Sequence, residues 1–259
     1  MFKHFVLIHG AIHGAWCWYK VASELKSFGH KVTTLDMAAS GINPKQMQEV
    51  HSISQYHQPL MTFMESIPHD EKVILVGHSL GGLSLSIAME NYYHKIYVAV
   101  FITATVVTQN LTYPAFLEER RRRVGSALDT QYFIFDGPNK VPILSSDGLK
   151  LITSRMYQLS ENQDLTLGLS LVRPLPPFLK DVDLLLKQTT ITNDNNGKVP
   201  KVFIIAENDN LLTKHFQEWI IERTGPYVNV IVIEDSDHMV MLSNPKKLIF
   251  ELLNIAYKY

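Results

Sequence analysis

A serine placed on a sharp turn between a buried strand and a helix constrains this chain more than any other feature. The stretch Val73-Ile74-Leu75-Val76-Gly77-His78-Ser79-Leu80-Gly81-Gly82 carries an apolar run into a G-x-S-x-G pattern and then into helical spacing. That is the context a nucleophile elbow requires: a strand that ends abruptly, a strained serine, and a helix that starts at once. Gly77 and Gly81 flank the serine because side chains there would collide in so tight a turn. Ser79 then stands at a helix N-terminus, where free N–H groups and the helix dipole favour an oxyanion.

The surrounding chain repeats the same rhythm. Runs rich in Val and Ile recur at Phe5–His9, Lys31–Leu35, Val73–Val76, Tyr97–Thr103, Lys201–Ala206 and Val228–Ile233. Their weak polar alternation predicts strands buried on both faces of a parallel sheet. Helical patterns lie between them at Trp16–Phe28, Ser54–Ser66, Leu80–Tyr93, Thr213–Arg223 and Pro245–Tyr257. This order predicts an α/β class, a mostly parallel sheet of about six strands with right-handed crossovers. From Thr108 to Asn196 the rhythm stops, and helical pieces and prolines occur without a convincing buried strand. The expected organisation is a core of residues 1–107 and 197–259, interrupted by a helical cap at 108–196. Within that insertion, Glu118-Glu119-Arg120-Arg121-Arg122-Arg123 reads as a solvated helix face with Glu–Arg pairs on neighbouring turns. A binding site for an acidic partner is the alternative.

Composition removes whole classes of function. Lys+Arg is 24 and Asp+Glu is 25 in 259 residues, so no basic field exists to hold nucleic acid or an anionic membrane. Cys17 is the single cysteine and cannot close an internal disulfide, which argues against a stapled secreted scaffold. The apolar stretch near the N-terminus is too short for a signal peptide or a membrane span. A reducing, aqueous compartment, the cytoplasm, is the expected location.

An elbow serine needs a base, and the base needs a carboxylate to orient it, in the chain order Ser, Asp, His. Of eleven histidines, His238 is best placed, in the polar loop Glu234-Asp235-Ser236-Asp237-His238 after the strand at 228–233. Asp209 follows the strand at 201–206 and is the preferred acid, with Asp237 and Glu207 as rivals. Asp237 is handicapped because an immediate neighbour can rarely reach its own imidazole. The oxyanion hole needs two amides, and Leu80 and Ala11 are the natural donors, with Gly10 leaving room above the serine. His9 is expected to order that loop. No paired-histidine spacing or thiolate cluster points to a metal, and no G-x-G-x-x-G follows the first strand, so no cofactor is expected. Trp16, Trp18 and Tyr19 are expected to pack on the sheet, Met156, Met239 and Met241 to line an apolar pocket or fill the core, and Cys17 to be buried and inert.

The whole chain resembles the plant α/β-hydrolase family that includes methyl esterases, hydroxynitrile lyases and methylketone synthase. The matching stretches are His4–His9 with Gly14-Ala15-Trp16, Gly29-His30-Lys31-Val32-Thr33, 38–44, Glu71–Gly82, Leu171-Val172-Arg173-Pro174 and Ser236-Asp237-His238-Met239. The resemblance implies the α/β-hydrolase fold, with Ser79, Asp209 and His238 as the catalytic set and Ala11 and Leu80 as oxyanion donors. It implies a homodimer as the usual assembly. The lyases carry threonine at the Gly10 position and lysine at the Met239 position, and neither is present. Methylketone synthase carries alanine, asparagine and threonine at the positions of Ser79, Asp209 and Gly10, and here all three are of the esterase type. A pocket tryptophan of some esterases is replaced by Ala127, which implies room for a bulky acyl group. Asn210 and Thr213 depart from the esterase pattern beside the acid.

Taken with the residues, the resemblance implies a serine carboxylesterase that cleaves a methyl or other small alkyl ester of an apolar, bulky plant specialised metabolite. An indole-alkaloid β-carbonyl ester is the example, its acid free to lose CO2 afterwards. The alternatives are a β-keto acid decarboxylase or lyase with His238 as its acid–base group, and a hydrolase-shaped protein that only binds small molecules.

Overall fold

Six strands build the core in the computed structural model, which describes residues 2–124, 132–136, 141–176 and 182–259. They are β1 (His4–Ile8), β2 (Lys31–Leu35), β3 (Val73–His78), β4 (Ile96–Ile102), β7 (Lys201–Ala206) and β8 (Asn229–Ile233). All neighbours pair in parallel, in the spatial order β2-β1-β3-β4-β7-β8. Side chains alternate across each strand, and the two faces feed two separate apolar clusters. Val6, Ile8, Leu75, Phe101 and Phe203 join one cluster, with Leu60, Leu83 and Phe216 packed on them. Phe5, Leu7, Ile74, Val100 and Ile204 join the other, under Trp18, Leu25, Leu248 and Leu252. Helices α2 (Ile53–Ser66), α3 (Gly81–Tyr92) and α8 (Lys214–Thr224) cover the first face. The second is covered by α1 (Tyr19–Ser27), the short α9 (Val240–Ser243) and α10 (Pro245–Lys258). This is the layered arrangement that βα alternation requires.

Two expectations about the strands change. The central strands β1, β3, β4 and β7 are buried almost throughout, but β2 and β8 are half-exposed. Each is an edge strand with one neighbour, so apolar composition alone overstated its burial. The insertion also contains a small antiparallel pair, β5 (Phe133–Asp136) with β6 (Val141–Leu144). Its strands are four residues long, carry Pro142 and leave Ile134, Phe135 and Ile143 half-exposed, so no buried-strand signal exists to read. The described residues of this segment also form helices α4 (Tyr113–Val124), α5 (Ser146–Leu151) running into a π-turn, α6 (Asn162–Leu171) and α7 (Val182–Gln188).

Among the polar contacts that tie the 108–196 segment to the rest of the chain, three groups involve its charged partners. Buried Asp164 on α6 accepts from Tyr19 Oη at 2.9 Å and Lys20 Nζ at 2.7 Å on α1. Tyr19 is therefore half-exposed and polar in use, whereas Trp18 is fully buried in the core as expected. The Arg173 guanidinium donates to the carbonyls of Gly41, Asn43 and Lys45, and its own amide donates to Ile12 O. Asp237 accepts from Leu159 N and Ser160 Oγ, both at 2.9 Å. None of the described helices is long and apolar enough to cross a membrane.

Candidate active site

The carboxyl ends of four parallel strands bring the singled-out residues to one edge of the sheet, where open α/β sheets hold their ligands. Gly10 and Ala11 follow β1, Ser79 follows β3, Asp209 follows β7 and His238 follows β8. Ser79 has φ of 51°, in the left-handed region that a serine enters only when its surroundings compel it. Its amide donates to Ile102 O, and its carbonyl accepts from Gly82 N and Thr105 N, so hydrogen bonds on both sides hold the strained turn. A Cβ on Gly81 would lie 2.7 Å from the carbonyl oxygens of Ile8 and His9, which is why the helix can start so close beneath β1.

A continuous hydrogen-bond chain leads from that serine. Ser79 Oγ lies 3.1 Å from His238 Nε2, and His238 Nδ1 lies 2.7 Å from Asp209 Oδ2. The carboxylate can only accept, so His238 carries its proton on Nδ1 and presents a bare Nε2 to the hydroxyl. Asp209 is buried yet fully satisfied: Oδ1 accepts from Leu211 N and Leu212 N, and Oδ2 also accepts from Thr103 Oγ1. Asn210 lies in this loop with its side-chain amide donating to Ser154 O at 3.4 Å, and Thr213 immediately precedes α8. Asp237 turns away, to Leu159, Ser160 and its own neighbour Met239 N at 2.9 Å. Glu207 pairs with Lys214. Of the three linked residues, only Ser79 is more than marginally exposed.

Ala11 and Leu80 line one cavity with Ser79, and neither amide carries a hydrogen bond to another described residue. Two histidines frame the Ala11 peptide. His9 Nε2 accepts from Met37 N, so its Nδ1–H donates to Gly10 O at 2.7 Å. In a trans peptide that carbonyl and the Ala11 N–H point in opposite directions, so pinning one aims the other. His13 Nδ1–H holds Ala11 O at 2.8 Å, while its Nε2 accepts from Tyr157 Oη. Burial keeps His13 neutral down to about 3. Sequence reasoning assigned His9 its ordering role and passed over His13, whose partner Tyr157 is remote in the chain. His78, inside the elbow, donates from Nε2 to the carbonyl of His238 at 2.7 Å, and burial keeps its ring neutral.

The cavity next to Ser79 is about 100 Å³ and is lined by Ile12, Phe116, Met156, Leu175, Leu211 and Leu212 with a few polar side chains. Ala127, from which room for a bulky acyl group is expected, lies outside the described residues. Gly10 lies against the serine: a Cβ there would stand 2.8 Å from Ser79 Cβ. Met239 is not on the cavity wall. It is fully buried in the same apolar cluster as Met156 and Leu211, which do line the cavity, and Met241 is buried there too. Cys17 is buried, and burial pushes its thiol pKa up. Among the described residues no cluster of His, Cys, Asp and Glu could hold a metal ion.

Known proteins share this arrangement's frame along its whole length. The pattern of the Alpha/beta hydrolase family matches residues 5–252. The chain is 46% identical to methyl jasmonate esterase 1 of Vitis vinifera, over 99% of this chain and 98% of that protein. It is 40% identical to polyneuridine aldehyde esterase of Rauvolfia serpentina, over 98% and 96%. The crystal structure of tomato methylketone synthase I complexed with 2-tridecanone superposes with a TM-score of 0.89 at 42% identity, covering 100% of this chain and 99% of that one. A serine at the elbow, a sheet of six parallel strands and relatives that are esterases by name lead to one assignment: the chain belongs to the alpha/beta hydrolase family and is an esterase of that family.

Proposed function

We propose that this esterase is a serine carboxylesterase acting on methyl or other small alkyl esters of apolar acids, with Ser79, His238 and Asp209 as its catalytic residues. The observation that carries the reading is the unbroken chain from a positive-φ serine through His238 to a four-fold satisfied Asp209. His238 Nε2 takes the Ser79 proton as Oγ attacks the ester carbonyl. The amides of Ala11 and Leu80 stabilise the oxyanion, and His238 then protonates the departing alcohol. Water, activated by the same imidazole, releases the acid and restores Ser79. Residues 108–196 form the cap over this site in the proposal, and 1–107 with 197–259 form the core. A homodimer in the cytoplasm belongs to the same proposal, to be checked by light scattering and by imaging the tagged protein.

The indole-alkaloid β-carbonyl ester remains the finer substrate proposal, supported by the similarity to polyneuridine aldehyde esterase. A second reading, decarboxylation of a β-keto acid, is supported by the likeness to methylketone synthase I, one variant of which was crystallised with beta-ketoheptanoate. A panel of methyl esters followed by mass spectrometry separates these readings through their products. Ser79→Ala should lower ester turnover by about three orders of magnitude or more. Near-wild-type hydrolysis by that variant would overturn the esterase mechanism. A Ser79→Ala protein that still decarboxylates a 3-keto acid, joined by an inactive His238→Ala, would favour the second reading.

A further inference from the structure

Two buried lysines stand at the starts of neighbouring strands and meet helix ends in different ways. Lys95 immediately precedes β4, and its ammonium donates to the carbonyls of Met64 and Glu65 at 3.0 Å and of Ile67 at 2.7 Å, at the end of α2. All three of its N–H groups are thereby spent. Lys201 opens β7 and is only 6% exposed, yet it donates to a single carbonyl, that of Thr224 at the end of α8. Its Nζ also lies over the Tyr227 ring, 5.0 Å from the centroid. Among the described residues no carboxylate pairs with it. Burial alone pushes this ammonium down to about 8, with no acidic neighbour to raise it again.

Lys201 lines a cavity of about 260 Å³ to which both ends of the 108–196 segment contribute. Thr108 and Asn110 come from one end, Asn193 and Asn196 from the other, and no described wall residue is a carboxylate. Asn110 and Asn193 use their backbone amides, which donate to Thr108 Oγ1 and Gln109 Oε1, while neither side-chain amide bonds another described residue. Asn196 Nδ2 is spent on Ser86 O, and Lys198 on the same wall lies over the Tyr93 ring. Burial pushes the Tyr227 phenol up, so it stays neutral. The wall therefore carries positive charge and uncommitted amide groups, with nothing negative to match them. A cation so deeply buried is costly to desolvate, and an anion seated beside it offsets that cost.

We propose that this cavity binds a small oxyanion, held by the Lys201 ammonium and the side-chain amides of Asn110 and Asn193. An ammonium has three donors, so Lys201 can keep its bond to Thr224 and still serve a ligand oxygen. Phosphate, sulfate and carboxylate groups share the required chemistry. None of the wall residues lines the cavity beside Ser79, so binding here requires nothing of the ester chemistry. Because Asn110 and Asn193 lie near opposite ends of the 108–196 segment, the bound anion bridges the two places where that segment leaves and rejoins the core.

The test is an NMR titration of the whole chain with sodium sulfate, inorganic phosphate and sodium acetate, each at constant ionic strength against sodium chloride. At least one of the three should produce saturable shifts in the side-chain amides of Asn110 and Asn193 and in the backbone around Lys201. Tighter binding of sulfate and phosphate assigns a tetrahedral group and tighter binding of acetate a carboxylate, and either order supports an oxyanion site. Lys201→Met keeps the apolar stem without the charge and should weaken binding by about tenfold or more, as expected for losing a charge-assisted contact. Asn193→Ala, in a turn, should weaken it by a smaller factor and provides the comparison if Lys201→Met does not fold. In wild type, sulfate binding should weaken as pH rises through about 8, because the Lys201 ammonium loses its proton while sulfate does not titrate there. Lys198, charged on the same wall, gives the residual attraction above that pH. Shifts that chloride reproduces, no shifts with any of the three anions, or equal affinity in wild type and both variants would each overturn the proposal.

Discussion

Replacing Asp209 by asparagine removes a charge while keeping a shape, and the surrounding donors dictate how the site responds. Oδ1 of Asp209 accepts from the amides of Leu211 at 2.7 Å and Leu212 at 2.8 Å. Only the carbonyl oxygen of asparagine can take those bonds, so its NH2 must occupy the place of Oδ2. There it faces Thr103 Oγ1 and His238 Nδ1, which is 2.7 Å away in the native protein. Two N–H groups cannot face each other at that distance, so His238 must move its proton to Nε2. The imidazole then points a donor at Ser79 Oγ across 3.1 Å and cannot act as its base. A triad carboxylate-to-amide change of this kind costs about 10⁴ in kcat, or about 5 kcal/mol of barrier. Thr103 keeps a partner and the loop keeps both amides, so the melting temperature of Asp209→Asn should stay close to wild type. Asp209→Ala strands four donors at once and should melt markedly earlier. Asp237→Asn provides the contrast, because that carboxylate does not touch the imidazole. The assay is steady-state hydrolysis of a methyl ester found by the panel, beside calorimetric melting. Turnover of Asp209→Asn within about tenfold of wild type would refute the tautomer argument.

Gly10→Thr would put a Cβ 2.8 Å from Ser79 Cβ and 3.0 Å from His78 Nδ1, so the serine must shift. Ester turnover should fall by about a hundredfold, and unimpaired turnover would show that the loop yields instead. His13 and His57 are buried and held by burial to about 3, against about 6.5 when unfolded. The unfolded chain therefore binds a proton at each site that the folded chain refuses, and stability drops as pH falls from about 6.5 toward about 3. His57→Gln should reduce that dependence by about 1.4 kcal/mol per pH unit, read from urea unfolding at several pH values in the window. A slope equal to wild type would show that His57 does not stay neutral in the fold.

How much of the site is legible in the sequence depends on where each residue sits in the chain. Ser79, Asp209 and His238 each close a strand at the same sheet edge, so strand-counting and chain order suffice to bring them together. The edge strands β2 and β8 were misjudged because burial depends on having two neighbours, which composition does not encode. Arg120 reaches the cavity wall from inside a charge run in which Glu119 pairs with Arg122 and Arg123. Its spacing from Tyr113 and Phe116 was the available signal, since those two already marked the inward stripe of α4. His13 and Tyr157 are 144 residues apart, and only the assembled fold brings the acceptor to its donor.

Asp237 stands between His238 and the 108–196 segment: its carboxylate accepts from Leu159 and Ser160 while the next residue is His238 itself. That makes the insertion a poor candidate for free exchange between relatives. A chimera that imported another 108–196 segment would need donors at positions 159 and 160 that reach Asp237, and an arginine at 173 for the carbonyls of the 41–45 loop. Without them the graft would release the loop that aims the imidazole. Changes of substrate preference in this lineage are then cheapest as single replacements inside the cavity wall, with the seams left untouched.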